Sequence, residues 1–116
     1  MEELKKYIGR TVELDNVKDS ARLKELGFTC RYLPDPPEDF DEFEFVADLG
    51  GFKNLGLMVT VESMTVKKIF FGLLSPDDPD VVTGLTEEQV QKVFADDADA
   101  LAQFFEFITR QHDRFS

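Results

Sequence analysis

Apolar and polar residues alternate between Phe43 and Leu74, and this period of two predicts three consecutive strands, over residues 43–49, 57–62 and 66–74. In the first two strands the apolar residues fall mainly on one face, and acidic or polar residues fall mainly on the other. That division is typical of an antiparallel sheet with one face in water. The end of the third strand, IFFGLL, is apolar on both faces, which predicts burial on both sides or cover by a helix end.

Turn residues separate these strands. Glycines 50–51 begin a longer connection, Gly56 marks a β-bulge, and residues 62–65 form a tight turn. A fourth strand is predicted over 28–32, where apolar and polar residues alternate again. The prolines within 34–37 end this strand and begin an acidic loop.

Helical patterns occupy the N-terminal third of the chain. Residues 2–9 predict a short helix, and a second helix begins with Asp15 or Asn16 as its cap. This second helix ends at Gly27, a residue suited to the left-handed position after a helix. Between the two helices, Thr11–Leu14 fits either a brief strand or an extended connector.

The clearest helix start follows the SPDDPD linker at 75–80. Thr86 and Gln89 form a capping box, and Leu85 and Val90 have the spacing of a hydrophobic staple. An apolar stripe then continues for about five turns. The ADDAD run within it leaves two possibilities, one long helix or a break at which Asp96 caps a second helix.

Together these elements predict an α+β fold in one domain, 1–116. We expect a roughly four-stranded, mainly antiparallel meander covered by helices from the N-terminal and C-terminal parts of the chain. A chain of 116 residues buries about two thirds of its unfolded surface. The twelve phenylalanines supply enough apolar mass for a core without disulfides or metal.

Cysteine use and the hydropathy pattern favour a cytoplasmic protein. Cys30 is the only cysteine, which excludes an internal disulfide framework and fits a reducing compartment. The first residues contain no apolar signal segment, and no run approaches the length of a membrane span.

Charge adds the most information about partners. The net charge is −11, and its excess lies in two segments: 34–44 has six acids and no base, and 75–99 has eight acids and one base. Such a surface repels nucleic acids and anionic membranes and attracts basic proteins. We therefore expect a basic protein partner, with no direct contact to nucleic acid or membrane.

The sequence contains no arrangement typical of catalysis or metal binding. His112 fits a solvated side chain, Cys30 fits a small buried apolar residue, and the DDPD run at 77–80 lacks the spacing of a calcium loop. No phosphate loop or nucleophile elbow occurs. We predict no enzyme activity, no cofactor and no metal site.

The acidic segments carry the main functional hypothesis, a stoichiometric inhibitor or neutraliser of a basic, nucleic-acid-handling protein. Carboxylates on a rigid surface replace phosphates, and complementary charge accelerates capture. The chain resembles, as a class and without a shared motif, immunity proteins for nuclease toxins, phage-encoded inhibitors of host defence and DNA-mimic proteins. The predicted partner-binding residues are Asp35, Glu38, Asp39, Phe40, Asp41, Glu42, Asp77, Asp78 and Asp80.

Two other interpretations remain open. The acids can be solvated loops and helix N-termini that only keep the protein soluble. Alternatively, the protein is an assembly module for an apolar client segment, similar in size, acidity and α/β character to type III secretion chaperones. Its working surface would then be IFFGLL, Met58 and Met64, or the uncovered sheet face.

Overall fold

The computed structural model describes residues 2–34, 36, 39–75, 77–78 and 81–110. The helices are α1 (Glu2–Lys5), α2 (Leu14–Val17), α3 (Ser20–Glu25) and α4 (Glu87–Ile108). The strands are β1 (Thr11–Val12), β2 (Thr29–Tyr32), β3 (Phe40–Leu49), β4 (Phe52–Glu62), β5 (Thr65–Leu74), β6 (Val82–Gly84) and β7 (Thr109–Arg110). The predicted α+β class is confirmed.

All the strand pairs in the described residues are antiparallel, and β2, β3, β4 and β5 form the predicted meander. The edge of β5 that faces away from β4 pairs with two further strands: β1 pairs near the start of β5, and β6 pairs near the end of β5. Strand β7 pairs with β1 and extends the sheet beyond it. The predicted four strands are therefore an undercount of a seven-stranded sheet. The strands beyond the predicted four have two or three residues each, which is too short for alternation to show, and β1 is the brief-strand alternative for 11–14.

The β3–β4 hairpin is longer and tighter than predicted. Strand β3 begins at Phe40, inside the predicted acidic loop, and β4 begins directly after Gly50 and Gly51. Both glycines have positive φ, +60° and +81°, as the two-residue turns of right-twisted hairpins require. The ladder is irregular between Ala47 and Leu49, whereas Gly56 lies in regular register, so the predicted bulge at Gly56 is wrong.

One face of the sheet is covered by helices and forms the core. Phe104 of α4 stacks on Phe28 with ring centroids 4.0 Å apart and meets Phe45 of β3 edge to face at 4.8 Å. Tyr7, in the turn after α1, stacks on Phe105 of α4 at 4.3 Å. Apolar burial of this kind is the main favourable term in folding.

Helix α4 starts where the sequence predicts. The Thr86 hydroxyl accepts from the Gln89 backbone N–H at 3.2 Å, and the Gln89 side chain accepts from the Thr86 N–H at 2.8 Å, which completes the capping box. Leu85 and Val90, the predicted staple, are half-buried against the core and line one small cavity.

A kink at Asp97 interrupts α4. The φ of −132° and ψ of 32° at Asp97 are not helical. Helix α4 therefore combines the two predicted possibilities, because it is a single span that contains a break, one residue after Asp96. The Asp97 carboxylate accepts a hydrogen bond from the backbone N–H of Gly50, in the β3–β4 turn. Ala98, which follows the kink and has the spacing of the predicted apolar stripe, is exposed.

The N-terminal helices are shorter than predicted. Helix α1 stops at Lys5, and the second predicted helix is divided into α2 and α3. Asp19 caps α3 by accepting from the Arg22 N–H at 3.1 Å, whereas Asn16 donates its side-chain N–H to the Phe107 carbonyl. The expected cap at Asp15 or Asn16 is therefore wrong, because Asn16 makes a tertiary contact instead. Gly27, at φ +92°, ends α3 as predicted.

Residues 11–14 are predicted as a brief strand or an extended connector. They form the strand β1 at Thr11–Val12, and α2 begins at Leu14. Within the described part of the chain, none of the helices has the length and apolar character needed to cross a bilayer.

Candidate functional site

The two acidic segments lie at opposite ends of the sheet. Phe40 pairs with Glu62 and Glu62 pairs with Thr65, so the first segment is at the start of β5. Asp77 and Asp78 follow the end of β5. At about 3.3 Å per residue, the ten residues of β5 separate the two segments by roughly 30 Å.

In the first acidic segment, the described residues 40–44 form the start of strand β3. Asp39 and Phe40 lead into β3, and the Asp39 carbonyl accepts from the Ser63 N–H at 2.9 Å, which fixes this end of the sheet. Phe40 is 65% exposed, so it does not fold back on the core. Asp41 is half-buried and Glu42 is exposed. Asp35 and Glu38, from the same predicted set, lie outside the described residues.

The predicted partner-binding residues of the second segment, 77–80, fall in the short connection between β5 and β6, and the other acids of 75–99 lie in α4. Asp77 and Asp78 are exposed, and the Asp78 carbonyl accepts from the Val81 N–H at 3.0 Å. The Asp77 N–H donates to the Ser75 hydroxyl at 3.4 Å. Asp80, the third predicted residue here, lies outside the described residues.

The face of the sheet opposite the helices, which we call the open face, carries exposed groups interspersed with buried ones. In strand order its members are Thr29, Tyr32, Phe40, Glu42, Glu44, Val46, Gly56, Met58, Thr60, Glu62, Lys68, Phe70, Gly72, Leu74, Val82 and Gly84. Tyr32 reaches this face because a register shift in β2 places it opposite Glu44. It is 52% exposed, contrary to the simple alternation of 28–32.

Two carboxylates, on Glu42 and Glu44, lie side by side on the open face. Partial burial, followed by the negative charge of Glu44 and a hydrogen bond with it, raises the pKa of Glu42 above its ordinary value; Lys68 and Thr60 oppose this rise. The Glu44 carboxylate has its own cation, Arg31, at 3.2 Å. Among the described residues Glu42 has no ion pair of that kind.

Glycines explain why IFFGLL is apolar on both faces. Gly56, Gly72 and Gly84 lie side by side across β4, β5 and β6. The Phe70 ring covers Gly84, and Val82 covers Gly72, at distances that leave no room for a Cβ atom. These side chains fill the space above the glycines, so Phe70 remains only 39% exposed.

The methionines expected in an apolar working surface are largely withdrawn from water. Met58 is on the open face but only 5% exposed. Met64 packs against the core cluster in a turn with positive φ. The exposed apolar area of the open face is therefore made mainly by aromatic rings.

The remaining chemistry candidates are unremarkable. Cys30 is half-buried, and desolvation raises the pKa of its thiol, which disfavours the reactive thiolate. No group of three or more potential metal ligands occurs among the residues that the structure describes. His112 lies outside them, so its role stays a prediction, as does the absence of enzyme activity.

Comparisons of the chain with protein-family models, with curated proteins and with solved structures found no match. Sequence reasoning did not list Tyr32, Glu44 and Glu62 as partner-binding residues, although the alternation places Glu44 and Glu62 on the polar face of their strands. The register shift that adds Tyr32 has no local signal.

Proposed function

We propose that the protein is a stoichiometric inhibitor or neutraliser of a basic, nucleic-acid-handling protein, of the immunity-protein, anti-defence or DNA-mimic type. It binds this partner through the end of the sheet that carries Asp39, Phe40, Asp41 and Glu42. The observation that carries the proposal is the exposure of the Phe40 ring, 65%, on the same face as Glu42, with Asp41 on the opposite face of the strand.

An exposed aromatic ring inside an acidic segment is costly to keep in water and useful in an interface. Large aromatic side chains are enriched among the residues that dominate binding energy, and surrounding polar groups exclude water from them. The acids contribute speed and selectivity, because complementary charge steers a basic partner toward the ring. Strand pairing of Phe40 with Glu62 holds the ring in a rigid element, which lowers the entropy lost on binding.

Asp77 and Asp78 belong to a different surface. Their separation from Phe40 by roughly the length of β5 makes them a steering charge or a second contact on a large partner. We therefore assign the anchor to the Phe40 end and only long-range attraction to the Asp77 end.

The second candidate function, capture of an apolar client segment, is favoured by the exposed rings of Tyr32 and Phe70 on the open face. The withdrawal of Met58 and Met64 reduces the apolar area that a client would find. The two functions respond differently to salt, since screening weakens charge-driven capture and leaves apolar capture intact.

A tagged pull-down from native-host lysate, washed in parallel at roughly 0.1 M and 1 M salt, tests the proposal. The expected result is one basic protein that is retained at low salt and lost at high salt. A partner retained at high salt would support the apolar-client function, and no partner in either wash would refute both.

The matched variants reverse the charge at each end of the sheet. Asp39→Lys combined with Glu42→Lys is expected to abolish capture. Asp77→Lys combined with Asp78→Lys changes the net charge equally and is expected to slow capture without abolishing it. Unchanged circular dichroism of both variants shows that they fold.

A further inference from the structure

We propose that the open face of the sheet binds the open face of a second copy of this chain, which gives a dimer of two stacked sheets. The two-fold axis of this dimer runs along β4, the central strand of β2 to β6. The inference goes beyond the proposed function and does not depend on it.

The size of the open face suits a dimer. Strands β2 to β6 have 4, 10, 11, 10 and 3 residues. With about 3.3 Å per residue and about 4.8 Å between strands, they cover roughly 600 Å². Two such faces bury about 1,200 Å² when they meet, the lower end of the range for stable protein interfaces. We therefore expect a reversible dimer with a dissociation constant in the micromolar range.

Exposed apolar side chains are concentrated on this face. Tyr32, Phe40 and Phe70 are 52%, 65% and 39% exposed, and they are three of the five large apolar side chains that are exposed in the described part of the chain. Two sheets that pack face to face lie about 10 Å apart, with their side chains interdigitated. A second open face therefore removes these rings from water, which is the main favourable term in association.

The charge on this face favours a second copy over a partner of a single sign. Around the rings the face carries three acids and three bases: Glu42, Glu44, Glu62, Arg31, Lys67 and Lys68. Arg31 lies 3.2 Å from Glu44, and Lys67 lies 3.8 Å from Glu62. This part of the face is therefore neutral in a chain with a net charge of −11, so two copies meet through it with little repulsion.

The positions of Glu42 and Lys68 make the face complementary to itself. Glu42 on β3 and Lys68 on β5 both pair with Thr60 of β4, so they lie one strand to either side of it. Both side chains are exposed. A rotation of 180° about an axis along β4 places Glu42 of one copy over Lys68 of the second copy, and Lys68 over Glu42. The symmetric contact therefore forms two ion pairs between the copies.

The same rotation brings the rings of the two copies together. Tyr32 pairs with Glu44, Glu44 with Met58 and Met58 with Phe70, so Tyr32 and Phe70 lie in one row on opposite sides of β4. Tyr32 is two strands from β4 and Phe70 is one. After the rotation, Tyr32 of one copy is offset from Phe70 of the second copy by about 4.8 Å, one strand spacing. This offset lets the two rings pack beside each other between the sheets.

Phe40 and Glu42 also belong to the proposed contact with the basic partner. The second copy and that partner therefore compete for the same end of the sheet. At protein concentrations above the dissociation constant of the dimer, we expect self-association to lower the capture of the partner.

Sedimentation velocity of the full chain, from roughly 1 µM to 1 mM, tests the inference. The expected result is a monomer at the lowest concentration and a dimer at the highest. Glu42→Lys and Lys68→Glu each replace both ion pairs with like charges, and each is expected to raise the dissociation constant by at least about tenfold. Glu88→Lys, a charge change equal to Glu42→Lys in the exposed first turn of α4, is expected not to raise it.

An equimolar mixture of the Glu42→Lys and Lys68→Glu variants isolates the contact between copies. In a mixed dimer both contacts again join opposite charges, because the introduced lysine faces the introduced glutamate and the native Lys68 faces the native Glu42. The mixture is expected to dimerise at least about tenfold more tightly than either variant alone. Unchanged circular dichroism of both variants shows that they fold.

A monomer at every concentration would overturn the inference. A dimer that tolerates both charge reversals, or a mixture that associates no better than its components, would overturn it too. None of these results removes a salt-sensitive basic partner from the pull-down, so the inference fails separately from the proposed function.

Discussion

The contact between the β3–β4 turn and helix α4 makes Gly50→Ala the most informative substitution for the fold. A Cβ atom at Gly50 would lie 2.8 Å from the Val93 Cα and 2.9 Å from its Cγ2, closer than real contacts of this kind. The Gly50 φ of +60° also disfavours any residue with a side chain.

The expected loss combines two terms. A left-handed conformation costs about 1–2 kcal/mol for a residue other than glycine. Forcing a methyl group into the packed helix costs about 1–3 kcal/mol more. Moving the turn away would also stretch the hydrogen bonds of Gly50 to Asp97 and to Lys92, whose Nζ lies 2.7 Å from the Gly50 carbonyl oxygen. We therefore expect the free energy of unfolding to fall by about 2–5 kcal/mol.

Gly51→Ala is the matched control. Gly51 has a φ of +81°, but its nearest neighbour to an added Cβ is the flexible end of Lys92, at 3.4 Å. This variant is expected to lose only the backbone term, about 1–2 kcal/mol. Urea unfolding followed by far-UV circular dichroism measures both losses. Equal losses in the two variants would show that the close approach to Val93 contributes nothing, and would refute the reasoning.

Two further predictions concern Glu42 and the start of α4. The pKa of Glu42 is raised in the folded protein, so the ionised form of Glu42 destabilises the fold at neutral pH. This destabilisation is relieved as the pH falls through the raised pKa of the folded protein toward the lower pKa of the unfolded chain. Glu42→Gln is therefore expected to raise the thermal midpoint at pH 7, with a gain that shrinks on acidification; a lower midpoint at pH 7 would contradict the assignment. Thr86→Ala removes the cap hydroxyl and is expected to cost about 1 kcal/mol in urea unfolding, whereas Thr86→Ser should cost little. Equal losses in the alanine and serine variants would show that the hydroxyl is not the source of the effect.

The sequence by itself determined the elements whose signals are local. The capping box at Thr86 and Gln89 involves residues three apart, and the glycine after α3 ends its helix through its own backbone freedom. The meander follows because alternation over 43–74 is long enough to specify strands, and short turns pair neighbours. The acidic composition of both segments was equally visible.

Only the tertiary structure decided features that depend on residues distant in the chain. Strand β1 exists because it pairs with β5 and β7, at separations of more than fifty residues, and two residues alone carry no pattern. The kink in α4 depends on Asp97 reaching Gly50. Likewise, the roughly 30 Å between the acidic segments follows from the length of a strand that neither segment contains.

The exposure of Phe40 illustrates the same limit for the candidate site. An aromatic residue in an acidic segment is compatible with a core contact or with an interface, and its neighbours in sequence do not distinguish them. Extension of β3 to Phe40 and pairing with Glu62 put the ring on the open face. In a strand, a shift of one residue moves every side chain to the opposite face, so register, which is a property of the assembled sheet, decides which residues a partner can reach.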